Sequence, residues 1–220
     1  MPTPAAPRRR ADLRNPAQRL PQANRKRLLL MHAKEQFLTV GFHATTIEKI
    51  AQAAGVSEPV LYRLFDDKKA LFLEVLREIR ESTLRRWQTE MAKQSAPLQK
   101  LQMLAADYLG SSRDHASEFR VLHRSLVETQ DAEVTGFLRT FYLDCELLLA
   151  QIITEGQQTG VFREGLDPRV GAWELIRTAL AYTLTLPLGI PLYEEPDYAA
   201  RAIECILECL LCKQVFPPLR

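Results

Sequence analysis

A run of side chains able to contact a polyanion lies between residues 45 and 72. Tyr62 and Arg63 fall on one side of a short helical pattern, whereas Leu61, Leu64 and Phe65 fall on the other. A phenol and a guanidinium are costly to bury, but they suit contacts with phosphates and base edges. The pattern therefore predicts an exposed helix that binds DNA. The alternative is an ordinary helical hairpin inside a core.

Two short helices around a tight turn are predicted to carry these side chains. Thr45 and Glu48 have the spacing of a capping box, which satisfies the free amides at a helix start. Gly55 supplies the backbone conformation that ends this helix and allows a sharp turn. Ser57 can cap the next helix, and Pro59 lies in its first turn, where a missing amide has no cost. This arrangement is typical of a helix-turn-helix, whose second helix enters the major groove of DNA.

The residue order over positions 27–72 resembles the DNA-binding domain of the TetR family of transcriptional regulators. The matching features are Leu29, Ala33, Phe37, Gly41, Phe42, Thr45-Thr46-Ile47, Ile50-Ala51, Ala54-Gly55-Val56-Ser57, Leu61-Tyr62, Phe65, Lys68 and Leu71-Phe72. The rest of the chain resembles the family loosely, through an Arg-rich segment ending in Glu128, Gly160-Val161-Phe162 and Leu166-Asp167-Pro168. The resemblance implies an all-α chain, with an N-terminal three-helix helix-turn-helix domain and a C-terminal helical bundle for effector binding and dimerisation.

The resemblance also implies two kinds of DNA contact. Groups that bind phosphates and fix register are expected at Thr46, Ser57, Tyr62 and Lys68. Base edges are expected to be read from Glu58, Pro59, Val60 and Arg63. Arg63 could reach guanine, and Glu58 could either accept from cytosine or only favour the helix start. Pro59 and the Arg63-Leu64 pair depart from the family pattern, so the bases that are read do not follow from the resemblance.

Charge is distributed unevenly along the chain. The 220 residues are 46% hydrophobic and 25% charged, which is typical of a globular protein with a substantial core. Residues 1–70 contain 13 Lys and Arg against 6 Asp and Glu, whereas the remainder is net acidic. A basic front suits a polyanion, although charge alone would equally fit a membrane surface. No apolar run is long enough for a membrane span and no signal peptide begins the chain, so we expect a cytoplasmic protein with reduced cysteines.

Three regions are predicted from composition and spacing. Residues 1–23 are basic and Pro-rich, and we expect a disordered arm that either enters a minor groove through its arginines or has no role. Residues 24–70 are predicted to form the helix-turn-helix domain, and residues 71–220 a helical ligand-binding and dimerisation domain. Apolar spacing predicts helices over 24–39, 69–94, 97–111, 117–129, 133–159, 168–185 and 196–213.

The rear domain is predicted to hold an effector pocket and a dimer interface. The pocket candidates are Trp87, Tyr108, Phe119, His123, Phe137, Phe141 and Tyr142, although such residues more often form only a core. The family resemblance places a homodimer bundle on the last two long helices, where wide apolar arcs must be buried. The interface candidates are Trp173, Ile176, Leu180, Ile203, Ile206, Leu207 and Leu210.

Neither catalysis nor metal binding is indicated. Cys205, Cys209 and Cys212 share one helical face and could form a thiol or metal sensor, but their Ile and Leu neighbours favour simple packing. No Ser-His-Asp grouping, phosphate-binding glycine loop or close carboxylate pair stands out, so we predict no enzyme, no metal and no cofactor. We predict instead a dimeric repressor that binds palindromic double-stranded operator DNA and is released by a small-molecule effector. The alternatives are an effector-independent DNA-organising protein and, more distantly, a helical enzyme.

Overall fold

A computed structural model describes residues 22–109, 113–195 and 197–211, which form helices and turns without a strand. The helices are α1 (Gln22–Ala44), α2 (Ile47–Ala53), α3 (Glu58–Tyr62), α4 (Lys68–Met91), α5 (Pro97–Leu109), α6 (Arg113–Glu128), α7 (Ala132–Gln158), α8 (Pro168–Thr185) and α9 (Tyr198–Leu211). Two 3-10 turns, Leu186–Leu188 and Pro191–Glu194, connect α8 to α9. The all-α prediction is confirmed. Positions 1–21 of the arm predicted over residues 1–23 lie outside the described part of the chain, and its last two positions, 22 and 23, belong to α1 instead.

The end of α1 differs from the prediction. The backbone breaks at Gly41 (φ 84°, ψ 173°), and one more turn follows it. Thr45 closes this turn, because its amide (3.2 Å) and its hydroxyl (2.6 Å) both donate to the Gly41 carbonyl. The N-cap of α2 is Thr46, whose hydroxyl oxygen accepts a bond from the Lys49 amide at 3.3 Å. The predicted capping box of Thr45 and Glu48 is therefore wrong, since Thr45 is buried in completing α1.

The first four helices share one apolar core. Leu29, Ala33 and Phe37 of α1 are buried at helical spacing, as are residues of α2, α3 and the start of α4. The Phe37 and Phe72 rings meet edge to face with centroids 4.7 Å apart, and Phe42 lies 4.8 Å from Phe72. These contacts hold the short helices α2 and α3 on a rigid base, although a helix of that length would not be stable alone.

Helices α5 to α9 form a second layer of packing behind this core. The connection from α7 to α8 is held by Gln157, whose side-chain amide donates to the carbonyls of Arg163 (2.9 Å) and Leu166 (2.7 Å). The Phe162 ring lies directly against Gly156, where any larger residue would collide with it. Within the described ranges, none of the helices combines the length and the apolar character needed to span a bilayer.

Candidate DNA-binding face and ligand cavity

Helix α3 presents one polar face to solvent. Its N-cap is Ser57 and Pro59 lies in its first turn, as the sequence predicts. The turn before it depends on Gly55 (φ 64°) and on the Val56 amide, which donates to the Ala51 carbonyl at 2.9 Å. Leu61 is fully buried on the inner side. A short helix is thus anchored by its apolar residues and free on its polar side.

The structure exposes three of the four side chains expected to read bases. Glu58, Pro59 and Arg63 are exposed, and no hydrogen bond or ion pair restrains the Arg63 guanidinium within the described residues. Val60 is only 7% exposed and belongs to the core, so its assignment to base reading is wrong. The reason is geometric, because Val60 and Leu61 are neighbours on a wide inner arc, and a five-residue helix has no second apolar side to spare.

Three of the four expected phosphate contacts remain available. Tyr62 is half exposed, and Thr46 and Ser57 are exposed. The Thr46 oxygen accepts the cap bond, so its hydroxyl hydrogen is free to donate to a phosphate. The Ser57 side chain makes no cap bond. The Thr46 and Ser57 hydroxyls lie at the starts of α2 and α3, where helix dipoles also favour an anion.

Lys68 has a different environment from the expected one. Its ammonium donates to the carbonyls of Phe42 (2.9 Å), His43 (3.3 Å) and Thr45 (3.0 Å), and it lies 4.6 Å from the centre of the Phe42 ring. These bonds use all three donors of the ammonium on carbonyls at the end of α1. Lys68 therefore has no free donor for the phosphate contact expected of it, and it caps the end of α1 instead.

A cavity of about 150 Å³ lies between the end of α4 and helices α5 to α9. Six of the seven predicted pocket residues line it: Trp87, Tyr108, Phe119, His123, Phe141 and Tyr142. Phe137 is absent from the lining and packs against the core instead. The other lining residues on α4 to α7 are Leu101, Leu104, Ala105, Leu109, Cys145 and Leu149. Helical spacing identified these inward-facing positions but could not show that they leave a space.

The opposite wall of the cavity consists of residues that we expected at a dimer interface. Ile176, Leu180, Ile203, Ile206 and Leu207 all line it, with Leu175, Thr178, Ala179, Tyr182, Tyr198 and Ala202. The apolar sides of these five residues therefore face the interior of the same chain, and a dimer contact by them stays a prediction. Trp173 instead donates its indole N–H to Glu146 at 2.8 Å. The side chain of Leu210 lies outside the described part of the chain.

Hydrogen bonds in the cavity centre on Tyr108. Its hydroxyl lies 2.5 Å from the Ala179 carbonyl, 2.5 Å from the Thr183 hydroxyl and 3.3 Å from His123 Nδ1. Burial lowers the pKa of His123 to about 4, so its imidazole is neutral near pH 7. Burial also raises the pKa of Tyr142, whose enclosed hydroxyl has no hydrogen-bond partner among the described residues. His123 is thus a packed, uncharged histidine near pH 7.

Helix α6 joins the cavity to the first layer of helices. Phe119 and His123 line the cavity, whereas Arg124 and Glu128 contact the end of α1. The Glu128 carboxylate accepts from the Phe42 amide at 3.1 Å, and its carbonyl accepts from His43 Nε2 at 2.7 Å. Arg124 pairs with Glu128 and donates to the Leu38 carbonyl at 3.2 Å. Sequence reasoning missed this contact, because both residues look like ordinary surface charges.

The cysteines show no sensor arrangement within the described residues. Cys205 is exposed, the side chain of Cys209 and all of Cys212 lie outside the described part, and no group of potential metal ligands occurs elsewhere in it. Cys145 lines the cavity, and its burial raises the thiol pKa to about 12. The thiol is therefore protonated and unreactive near neutral pH.

Comparison with known proteins places this geometry in a family. Residues 29–75 match the family described as bacterial regulatory proteins, tetR family. Over 58 residues the chain is 48% identical to the HTH-type transcriptional activator FasR of Mycolicibacterium smegmatis, a match that spans 26% of each protein. Over 146 residues it is 29% identical to the HTH-type transcriptional repressor KstR2 of the same organism, covering 66% of this chain and 71% of KstR2.

The similarity in fold extends over most of the chain. A solved structure of a transcriptional regulator from Saccharomonospora viridis, in complex with choline, aligns with a TM-score of 0.74 at 20% identity, covering 84% of this chain and 95% of the other. The named relatives are transcriptional regulators and not enzymes, in agreement with the expectation from sequence. The match over residues 29–75, the all-helical fold and these relatives together support a regulator of the tetR family of bacterial regulatory proteins.

Proposed function

We propose that the protein is a dimeric transcriptional repressor that binds palindromic DNA through α3 and releases it when a small molecule occupies the cavity. The observation that carries the proposal is the division of α3 into two sides. Glu58, Tyr62 and Arg63 face solvent, while Leu61 anchors the helix in the core. A rigid helix with a polar, partly cationic face has the shape and chemistry that major-groove binding requires.

Binding energy and sequence preference come from different side chains in this proposal. The hydroxyls of Thr46, Ser57 and Tyr62 contact phosphates and set the orientation of α3 on the duplex. Arg63 and Glu58 then reach base edges, Arg63 as a donor to guanine and Glu58 as an acceptor from cytosine. The basic composition of residues 1–70 supplies the attraction that does not depend on sequence.

A second copy of the chain is proposed to cover the outer face of α7 and α8. Leu143 and Leu147 are 47% and 62% exposed on one side of α7, and Val170 and Leu184 are 52% and 53% exposed on α8. Large apolar groups on two adjacent helices are an expensive surface to leave in water. An isologous dimer would bury them twice and place two α3 helices about 34–36 Å apart on a palindrome.

The cavity is proposed to act on DNA binding through α6 and α4. Phe119 precedes Arg124, and His123 precedes Glu128, by about 1.4 helical turns, so a ligand that moves this part of α6 also moves its contacts with α1. Helix α4 provides a second connection. Trp87 near its end lines the cavity, and Lys68 at its start bonds the Phe42 carbonyl of α1. The predicted division at residue 70 falls inside α4, which would then belong to both domains.

Two findings on relatives support a ligand-controlled repressor. KstR2 is a repressor, and the Saccharomonospora viridis regulator was solved with choline bound. A ligand can shift the protein between two arrangements only if it binds one of them more tightly. In the proposed mechanism, the ligand binds more tightly to the arrangement in which the two α3 helices of the dimer do not fit two successive grooves.

Selection of bound fragments from random-sequence DNA with the purified protein tests the proposal. We expect enrichment of inverted repeats whose half-sites are separated by about one turn of the duplex. Enrichment of no sequence, with equal affinity for all fragments, would favour the DNA-organising alternative. Failure to bind any fragment at low salt, where phosphate contacts are strongest, would contradict DNA binding altogether.

A further inference from the structure

The walls of the cavity between α4 and α9 differ in how deeply they are buried. The inner wall is fully packed, since Leu104, Phe119 and Phe141 are at most 5% exposed. The outer wall contains the half-buried side chains of Tyr182 and Ile203, together with the exposed Thr178. The more exposed side of the cavity therefore lies between α8 and α9. A dry cavity of this size, about 150 Å³, is large enough for a benzene ring.

No charged side chain lines this cavity. Asp, Glu, Lys and Arg are all absent from its lining among the described residues. Next to Trp87, Arg86 forms a bidentate ion pair with Asp107, with both N–O distances at 3.0 Å. The Asp107 carboxylate also accepts the Trp87 indole N–H at 2.8 Å, so these two charges are already paired. An ionised ligand group would lose its hydration here without gaining an opposite charge, which disfavours its binding.

The titratable groups in the lining do not change this conclusion. Burial keeps His123 neutral, and it keeps the Cys145 thiol and the Tyr108 and Tyr142 hydroxyls protonated near pH 7. The interior therefore offers neutral hydrogen-bonding groups only, set in an aromatic and aliphatic surface.

Only one of these hydroxyls lacks a partner. Tyr108 has a single hydroxyl hydrogen, which the Ala179 carbonyl accepts, and its oxygen is close to the Thr183 and His123 side chains. Tyr142 is 8% exposed, and its hydroxyl is enclosed without any hydrogen-bond partner in the described residues. Enclosed hydroxyls are normally hydrogen-bonded, so this phenol is a donor that the folded chain leaves unused.

We propose that this cavity binds an uncharged, mainly apolar molecule whose one polar group accepts a hydrogen bond from the Tyr142 hydroxyl. The inference deepens the proposed function, because this molecule would be the effector. Ring-containing or short-chain ketones, esters and ethers have the required chemistry, whereas carboxylates, amines and phosphates do not. A larger ligand would place its remaining atoms, and any charge, at the more exposed side between α8 and α9.

Three probes of similar size separate the features of the proposal. Acetophenone carries a neutral acceptor, ethylbenzene carries none, and benzoate carries a charge. Isothermal titration calorimetry on the full chain gives the three dissociation constants. We expect acetophenone to bind about fivefold more tightly than ethylbenzene, as one net hydrogen bond implies. Benzoate is expected to bind at least about tenfold more weakly than acetophenone, because its charge must be desolvated.

Two variants assign the preference to one hydroxyl. In Tyr142→Phe the acetophenone preference over ethylbenzene should disappear while ethylbenzene affinity is unchanged. Tyr193→Phe is the matched control, because its hydroxyl bonds Thr185 at 3.0 Å outside the lining, and it should keep the full preference. Thermal unfolding without ligand checks folding. Tyr142→Phe removes an unpaired hydroxyl, so its melting temperature should equal or exceed that of the wild type.

Several results would overturn the inference. They are benzoate binding as tightly as acetophenone, a preference that survives in Tyr142→Phe, and no saturable binding of either neutral probe. DNA binding is measured separately on the same samples. A protein that binds its DNA but neither neutral probe refutes this ligand class and leaves the DNA-binding proposal standing. A protein that binds acetophenone but no DNA refutes the DNA-binding proposal and leaves the ligand class standing.

Discussion

Replacing Gly41 by alanine tests the junction between α1 and α6. Its backbone lies at φ 84° and ψ 173°, a region nearly restricted to glycine, where another residue costs about 1–3 kcal/mol. An added Cβ would lie 2.5 Å from Glu128 Oε2 and 2.6 Å from Arg124 Nη2. The carboxylate must then leave the Phe42 amide, and losing this charged hydrogen bond costs about 1.5–3 kcal/mol. Together the two effects predict a loss of about 2.5–6 kcal/mol in unfolding free energy.

Urea unfolding of the wild type and matched variants measures this loss. Gly136→Ala is the control, because Gly136 lies inside α7 with nothing within 4 Å of an added Cβ. That variant should gain about 0.5–1 kcal/mol from better helix propensity. In a Glu128→Ala background, Gly41→Ala should cost only its backbone share, about 1–3 kcal/mol. A loss below about 1 kcal/mol for Gly41→Ala in the wild-type background would refute the reasoning.

Three further variants test other parts of the structure. His123→Gln should flatten the stability profile between pH 6.5 and 4, because the unfolded imidazole takes up a proton near 6.5 while the buried one stays neutral until about 4. The wild type, measured by urea unfolding across this range, should lose about 3 kcal/mol more than the variant as pH falls. Lys68→Met should cost about 2 kcal/mol in unfolding free energy by removing the cap of α1, against less than about 0.5 kcal/mol for the exposed Lys49→Met; equal losses would contradict the capping role. Leu147→Glu should give monomers in sedimentation equilibrium, whereas Met31→Glu, also at a half-exposed apolar position, should leave dimers; unchanged dimers in both would contradict the proposed interface.

The front of the chain was predictable because its signals are local. Gly55 and Pro59 each fix a backbone conformation, and helical spacing gave the two sides of α3 correctly except at Val60, which is buried. The Lys68 error arose because its contacts are distant in sequence: Lys68 reaches back to carbonyls at the end of α1, which no local pattern indicates. The Thr45 error has a local cause, because Thr45 bonds Gly41 and closes α1 where the capping-box spacing indicated the start of α2.

The rear of the chain shows the same limit more strongly. Apolar spacing on α8 and α9 correctly indicated that Ile176 is buried, whereas Ile203 is half-buried. Spacing identifies an apolar face but not what covers it, so it did not show that both residues line a cavity. Leu143 and Leu147 show the opposite case, since they are apolar but exposed. Helix α7 has more apolar positions than the neighbouring helices of the same chain bury.

The affinity of the Arg63→Ala variant for the selected DNA tests the central proposal most directly. Arg85→Ala is the matched control, since Arg85 is exposed on α4 about 25 Å along that helix from its first residue. Fluorescence anisotropy at fixed salt should show Arg63→Ala weakened by about 1–3 kcal/mol, with less discrimination at one base pair of each half-site. Arg85→Ala should stay within about twofold of the wild type. Equal affinities for both variants, or equal losses in both, would contradict base reading by α3.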